Sequence, residues 1–259
     1  MRSTLPRPLA LVLGLALLGV ACTQTPPPVP PAAQAPPAKT AVIHSAKTGR
    51  TYTAVQLAEP EAAREPIAAV SALGAPSSDN FRGTDRAGAK TSIVDGDPQT
   101  FDDVSALASS GLLVDDDQML HHDPAITRDS DARFDEEGHN VVVTAFLYAS
   151  KKEGDNDFHC IIGAAPDQTP VFFNVEVSGL PQGQFRQQLQ DVRDAFKTFF
   201  AGQLPGTGYS KFDPPIPVRI TGSLFYDIDH KPGEVGPAAF KPTTAWEIHP
   251  VSAIEFEPQ

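Results

Sequence analysis

One stretch of the sequence decides the fold, and it reads VVVTAFLYAS (141–150), KKEGDN (151–156), DFHCIIG (157–163) and PVFFNVEVS (170–178). Three of these four segments are rich in β-branched and aromatic residues, which favour strands, and the polar segment predicts a turn. We therefore predict a β-hairpin followed by a third strand. In that third strand Asn174 and Glu176 lie on the face opposite the alternating apolar residues.

An amphipathic helix is predicted next, over residues 184–201. Its apolar residues follow one another at steps of four and three and form a single stripe, made of Phe185, Leu189, Val192, Phe196 and Phe199. Gly202 follows as a stop signal. Two further strands are predicted over 216–227 and 244–256, with a Pro/Gly-rich loop over 229–243 between them.

The order hairpin, strand, helix, strand, strand predicts a mainly β fold with one inserted helix, of the α+β class. A five-stranded barrel like that of the oligonucleotide/oligosaccharide-binding (OB) fold has this order, and we assign it to residues 89–259. A β-sandwich is the alternative, because short strands with turns at this spacing suit both. Residues 41–88 are predicted to be an N-terminal extension, with a hairpin at 41–57 and a helical segment at 59–73. Residues 74–100 are predicted as loop, and 101–113 as one short helix.

The N-terminus carries a targeting pattern. Two arginines precede a twelve-residue apolar run, 9–20, which is too short to span a bilayer comfortably and is typical of a signal peptide over 1–21. Cys22 follows directly and resembles the lipidated cysteine of bacterial lipoproteins. A proline-rich linker over 22–40 completes the segment. This pattern predicts a location in the bacterial cell envelope, lipid-anchored in the periplasm or on the outer surface, or secretion. The membrane would then be a partner through the N-terminal lipid.

Composition excludes several classes of protein. The chain has 259 residues, 20 Lys+Arg against 32 Asp+Glu, a formal charge of -12, and 2 Cys. Two cysteines cannot form a disulfide-dense scaffold or a multi-cysteine zinc module, and Cys160 lies in an apolar strand pattern that predicts a buried thiol. The acidic surplus disfavours nucleic acid as a partner.

Three signatures extend the reading of the fold. They are EGDNDFH (153–159), VRITGSLFYDIDH (218–230) and WEIHPV (246–251). Together they resemble an uncharacterised group of bacterial secreted or lipoprotein OB-fold-like proteins. The resemblance covers residues 140–256 and implies the barrel, and it implies no activity, since one fold hosts many functions.

Histidines and carboxylates recur within these signatures and form the candidate metal site, which comprises Asp157, His159, Asp229, His230, Glu247 and His249. Asp157 and His159 share one strand face by period-two spacing, as do Glu247 and His249. Imidazole and carboxylate are ligands that a divalent metal requires, and together they can also form a general base. The structural alternative is that these side chains hydrogen-bond the backbone. Three acidic clusters are weaker candidates for calcium, at 95–103, 115–117 and 129–137.

Three functions stay open on this basis. The first is an envelope-anchored or secreted binding module for a small ligand or an envelope protein. The second is a metal-dependent hydrolase, such as a phosphodiesterase or nuclease, that uses the candidate metal site. The third is a structural envelope protein. Because no contiguous catalytic motif is found in the sequence, we expect binding rather than catalysis, with a divalent metal as the candidate cofactor.

Overall fold

The computed structural model describes residues 38–58, 79–167 and 171–259. The signal peptide, Cys22, most of the proline-rich linker and the helical segment predicted at 59–73 lie outside these residues. The elements are β1 (Thr40–His44), β2 (Thr51–Gln56), α1 (Ala87–Thr91), β3 (Gln99–Phe101), α2 (Val104–Ala108), α3 (Asp116–Leu120), β4 (Asn140–Lys152), β5 (Phe158–Gly163), β6 (Phe172–Val177), α4 (Arg186–Phe200), β7 (Ser210–Tyr226) and β8 (Trp246–Phe256). Within the described residues, no helix is both long and apolar enough to cross a membrane.

All eight strands belong to one mixed sheet. Its order is β1-β2-β7-β8-β6-β5-β4-β3, and β4 pairs a second time, with β7. Five strands thereby form a ring of pairings, β4-β5-β6-β8-β7-β4. The β6–β8 and β3–β4 pairs are parallel and the others are antiparallel. The prediction of a mainly β fold with one long helix is confirmed, because α4 joins β6 to β7 as expected.

The core lies on one side of the ring strands and is capped by α4. From this helix Leu189, Val192, Phe196 and Phe200 are buried. The Phe196 ring stacks on Phe158 with centroids 4.7 Å apart, so helix and sheet meet through aromatic rings. Of the predicted stripe, Leu189, Val192 and Phe196 are buried and Phe185 and Phe199 are half-buried, while Phe200 is buried beside them.

Arg193 is also buried on α4, although it is charged and is not one of the apolar residues of the stripe. Its side chain has no exposed surface, and it donates to the carbonyl oxygens of Asn156 and Ser178, each at 3.0 Å. Asp79 lies 3.2 Å from the same guanidinium. A long guanidinium can leave a helix among apolar residues and reach such acceptors, which periodicity alone does not reveal.

The N-terminal hairpin is confirmed and belongs to the sheet. β1 pairs with β2, and β2 continues onto β7 with Thr53 opposite Asp213. At the other end of the chain, the Glu257 carboxylate accepts hydrogen bonds from Thr48 and Tyr52, both at 2.6 Å. These hydrogen bonds therefore join the N-terminal hairpin to the residues that follow β8.

Two local predictions need correction. The helix expected over 101–113 is only α2, because Asp103 caps a single turn that begins at Val104 and ends at Ala108. The loop expected over 74–100 contains α1 and β3, and β3 pairs with β4 in parallel. Both elements are too short for periodicity to define, and tertiary pairing determines them.

Candidate functional site

The candidate site lies on the polar face of β5, β6 and β8, opposite the core. Along each strand the core side chains alternate with polar ones, as the period of two requires. His159 on β5 stands opposite Glu176 on β6, and Asn174 on β6 stands opposite Glu247 on β8. Glu247 and His249 are two residues apart and share this face. Three strands thus bring their polar residues into one patch.

The patch is buried rather than solvated. Asp157, His159 and His249 have no exposed surface, and Glu176 and Glu247 have 1 %. Charged groups are rarely buried to this extent unless they pair or bind a metal. The patch therefore requires a partner for its charges.

The side chains of the patch lie at distances expected of metal ligands. His249 Nε2 is 3.2 Å from Asp157 Oδ2, and His249 Nδ1 is 3.5 Å from Glu176 Oε2. His159 Nδ1 is 3.5 Å from Glu176 Oε1. Donor atoms bound to one cation at about 2.0–2.2 Å lie roughly 3.0–3.6 Å from one another.

Three overlapping groups of described residues could each hold an ion. Within each group, one ligand atom per residue lies within 4.8 Å of the others. The groups are His159, Glu176 and His230; Asp157, Glu176 and His249; and Asp227, His230 and Glu247. Glu176 and His230 each belong to two of them.

Several of these ligand atoms are buried and make no hydrogen bond. They include both carboxylate oxygens of Glu176, both ring nitrogens of His249 and Nε2 of His159. His249 Nε2 and Asp157 Oδ2 are close enough for a hydrogen bond but are not aligned as one. A buried polar atom without a hydrogen bond costs about 1–3 kcal/mol, and a charged one costs more. A bound cation would remove this cost.

The electrostatics of the patch favour a cation. Burial and the neighbouring carboxylates, Glu247 first among them, raise the pKa of Glu176 well above its usual value. Burial and nearby carboxylates raise the pKa of Asp155 to about 7. Burial alone would lower the pKa of His230, but the carboxylates around it, again led by Glu247, raise it to about 10. For Glu176 and Asp155 burial is the largest cause and the neighbouring carboxylates add to it, whereas for His230 the carboxylates outweigh burial.

Two segments cover the patch. From α1, Lys90 reaches Asp227 Oδ2 at 3.1 Å. The loop over 229–243 lies against β5, where a Cβ on Gly236 would be 3.3 Å from Ile161 Cδ1 and 2.8 Å from the Phe240 carbonyl oxygen. Gly236 also has a φ of +88°, so this position favours glycine on both grounds. The loop brings His230 to the patch.

The structure brings together five of the six residues predicted for the metal site, and leaves out the sixth. Asp157, His159, His230, Glu247 and His249 all lie in the patch. Asp229 does not, because its carboxylate accepts from Arg128 Nη2 at 2.7 Å and its side chain is 37 % exposed. Asp227, two residues earlier, takes the place expected of it.

Four members of the patch were not predicted from the sequence, namely Glu153, Asp155, Glu176 and Lys90, whereas Asp227 lies in the same strand-end group as Asp229 and His230. The alternation in its strand places Glu176 on the polar face, but it does not show which residues lie opposite Glu176 on the neighbouring strands. Lys90 comes from a segment predicted as loop and carried no signal.

Some residues of the acidic clusters, and Cys160, have structural roles. In the acidic clusters, Asp103 and Asp115 accept from backbone N–H groups at the starts of α2 and α3. Glu137 has no exposed surface and pairs with Arg86. Cys160 faces the core, where burial raises the pKa of its thiol to about 12, so it behaves as the predicted buried thiol.

Asp229 provides an internal test of this geometry. We expect Asp229→Asn to retain the metal content of the wild-type protein, measured by inductively coupled plasma mass spectrometry, because Asp229 faces Arg128 rather than the patch. Loss of the exposed ion pair should change the free energy of unfolding by less than about 1 kcal/mol. Loss of bound metal would show that Asp229 is a ligand after all.

When this chain is compared with protein-family models, curated proteins and solved structures, nothing matches. The chemistry of the site is therefore inferred from its own residues.

Proposed function

We propose that this protein is a divalent-metal-binding module of the bacterial cell envelope, built on an OB-like barrel. One observation carries the proposal: Glu176 and His249 are buried, direct their ligand atoms at other ligands, and form no hydrogen bonds with those atoms. A carboxylate and an imidazole in this state are explained by a metal ion that they bind together.

The ligand set indicates the class of metal. The patch offers imidazole nitrogens and carboxylate oxygens, while the one described thiol, Cys160, faces the core. Such nitrogen and oxygen ligands suit zinc, manganese, iron, cobalt or nickel, whereas Ca²⁺ and Mg²⁺ prefer oxygen ligands alone. We therefore propose a transition metal as the ligand.

The barrel is proposed from the order of strands. The OB fold is a five-stranded, partly open barrel, and here one helix is expected before its fourth strand. The ring of pairings β4-β5-β6-β8-β7 and the position of α4 between β6 and β7 support this arrangement. The β4–β7 pairing favours it over a sandwich, whose two sheets would be separate. The resemblance drawn from the three sequence signatures points in the same direction.

The envelope location rests on the N-terminal sequence. The apolar run before Cys22 and the proline-rich linker after it support export, with the domain tethered to a membrane through a lipid on Cys22. The acidic charge makes electrostatic attraction to anionic lipid or nucleic acid unfavourable.

Burial favours binding over hydrolysis. A catalytic metal keeps a coordination position open for water or substrate, whereas structural metal sites are closed. Asp157, His159 and His249 have no exposed surface, so a phosphodiester has no access to them in this conformation. A metal-dependent hydrolase and a purely structural envelope protein are therefore the less favoured functions.

The metal content of the mature protein tests the proposal. The chain should be exported in a bacterial host and purified without chelators, and its metals should be quantified by mass spectrometry. We expect at least one equivalent of a transition metal per chain. Protein that carries no metal, and binds none when titrated with Zn²⁺, Mn²⁺, Fe²⁺, Co²⁺ or Ni²⁺, would overturn the proposal.

A further inference from the structure

Glu176 faces two different histidines with its two carboxylate oxygens. Oε1 is 3.5 Å from His159 Nδ1, which also lies 3.2 Å from Glu153 Oε1, and Oε2 is 3.5 Å from His249 Nδ1. Neither oxygen makes a hydrogen bond, and the residue is 1 % exposed. A carboxylate that offers one oxygen to each of two ligand sets has the arrangement of a bridging ligand.

The two histidines belong to separate ligand groups. His249 groups with Asp157, and His159 groups with His230, while Glu176 belongs to both. Among the described residues, His159 and His249 do not occur in the same group. One ion at either position would therefore leave the buried ligand atoms of the other histidine unused.

His230 has the support expected of a ligand. Its Nδ1–H donates to Glu247 Oε1 at 2.6 Å, and Asn174 Nδ2 donates to the same oxygen at 2.5 Å. A carboxylate on one ring nitrogen orients a histidine and leaves the other nitrogen for a metal. His230 and His159 are also close, with ring centroids 5.4 Å apart.

The charge of the patch fits two ions. Its carboxylates are Glu153, Asp155, Asp157, Glu176, Asp227 and Glu247. Its lysines are Lys90, against Asp227, and Lys151, whose Nζ is 3.0 Å from Glu153. When metal binding keeps every carboxylate ionised and the histidines are neutral ligands, six negative charges and two positive ones leave four negative charges. Two divalent cations neutralise them.

We propose that the site holds two divalent transition-metal ions bridged by the Glu176 carboxylate. Asp157 and His249 bind the first ion, and His159 and His230 bind the second. This inference rests on the proposed function and specifies how many ions the patch takes. In known two-metal sites the paired ions lie about 3.5–4 Å apart.

Stoichiometry under saturating Mn²⁺ tests the inference. Native mass spectrometry and metal analysis should give two Mn²⁺ per wild-type chain and two for Glu255→Gln, a control carboxylate that is 51 % exposed on the same strand, β8. Glu176→Gln and His230→Ala should each bind no more than one. Circular dichroism establishes that each variant is folded.

Electron paramagnetic resonance of the wild-type protein provides a second measurement that needs no variant. Two bridged Mn²⁺ ions should give an exchange-coupled spectrum in place of the six-line signal of isolated Mn²⁺. One ion per chain with an isolated six-line signal would overturn the bridge and leave the proposed function intact. A chain that binds no Mn²⁺ and none of the other transition metals would overturn both.

Discussion

Replacing His249 with alanine is expected to lower metal affinity about a hundredfold or more. His249 is fully buried, neither of its ring nitrogens makes a hydrogen bond, and Asp157, Glu176 and Glu247 surround it at 3.2–3.8 Å. Changes to residues that merely support a ligand already cost 10–100-fold in affinity, so loss of a ligand should cost at least as much. Isothermal titration of the apoprotein measures the change.

Thermal stability gives an independent measurement of the same effect. At a free metal concentration of about 100 times Kd, binding stabilises the folded state by about 2.7 kcal/mol. Wild-type protein should therefore lose that increment on chelation, whereas chelation should lower the unfolding temperature of His249→Ala by a smaller amount. Asp157→Asn should behave similarly, and it retains the oxygen that accepts from the Gly179 N–H.

The matched control for this experiment is His121→Ala. The His121 side chain is 76 % exposed and lies outside the patch, so the variant should bind metal as the wild type does. If His249→Ala bound metal with unchanged affinity, the patch would not be the metal site.

The second large effect is on stability, and concerns the buried pair Arg86–Glu137. The two side chains are 2 % and 0 % exposed, and they form two parallel hydrogen bonds of 2.8 Å. Glu137 also accepts from the backbone N–H groups of Phe134 and Tyr226, at 2.9 Å each. The pair therefore links Arg86, which precedes α1, and Glu137, which follows α3, to Tyr226 at the end of β7.

Glu137→Ala should lower the free energy of unfolding by about 3–5 kcal/mol, because it leaves the Arg86 guanidinium buried without its counter-charge. For a domain of this size that corresponds to a fall in Tm of roughly 6–20 °C. Urea denaturation and calorimetry, both in the presence of chelator, separate this loss from any loss of metal.

An exposed ion pair serves as the control for Glu137. Glu255 lies 2.9 Å from Lys47, with the two side chains 51 % and 41 % exposed. Glu255→Ala should cost less than about 1 kcal/mol. If Glu137→Ala and Glu255→Ala lost equal free energies of unfolding, burial would not explain the stability that the Arg86–Glu137 pair contributes. The double variant Arg86→Met/Glu137→Leu should recover part of the loss, since it buries no unpaired charge.

Local pattern was sufficient for the main elements. The alternation in β6 and the stripe of α4 are properties of short windows of sequence, and both are present. A helix was predicted where α2 lies, with bounds that are too wide, but α1, α3 and β3 could not be predicted in this way. They have three to five residues each, and their existence depends on what they pack against.

Local pattern also fails to predict which single residues belong to the patch. Asp227 and Asp229 flank His230 and look equivalent in the sequence, yet Asp227 enters the patch and Asp229 pairs with Arg128. The strand ends at Tyr226, and Asp227 accepts from the Asp229 N–H in a turn. Beyond that point the period of two no longer determines which way a side chain faces.

The sequence by itself determined which segments form strands and the long helix, which faces of the strands are polar, and which histidines and carboxylates were worth considering. Tertiary structure alone decided that these residues meet. Glu176 reaches His159 and His249 through the register of two strand pairs, one antiparallel and one parallel, and Lys90 arrives from a distant segment. Register and crossover depend on contacts between residues far apart in the chain, and such contacts leave no periodic signal in a single sequence.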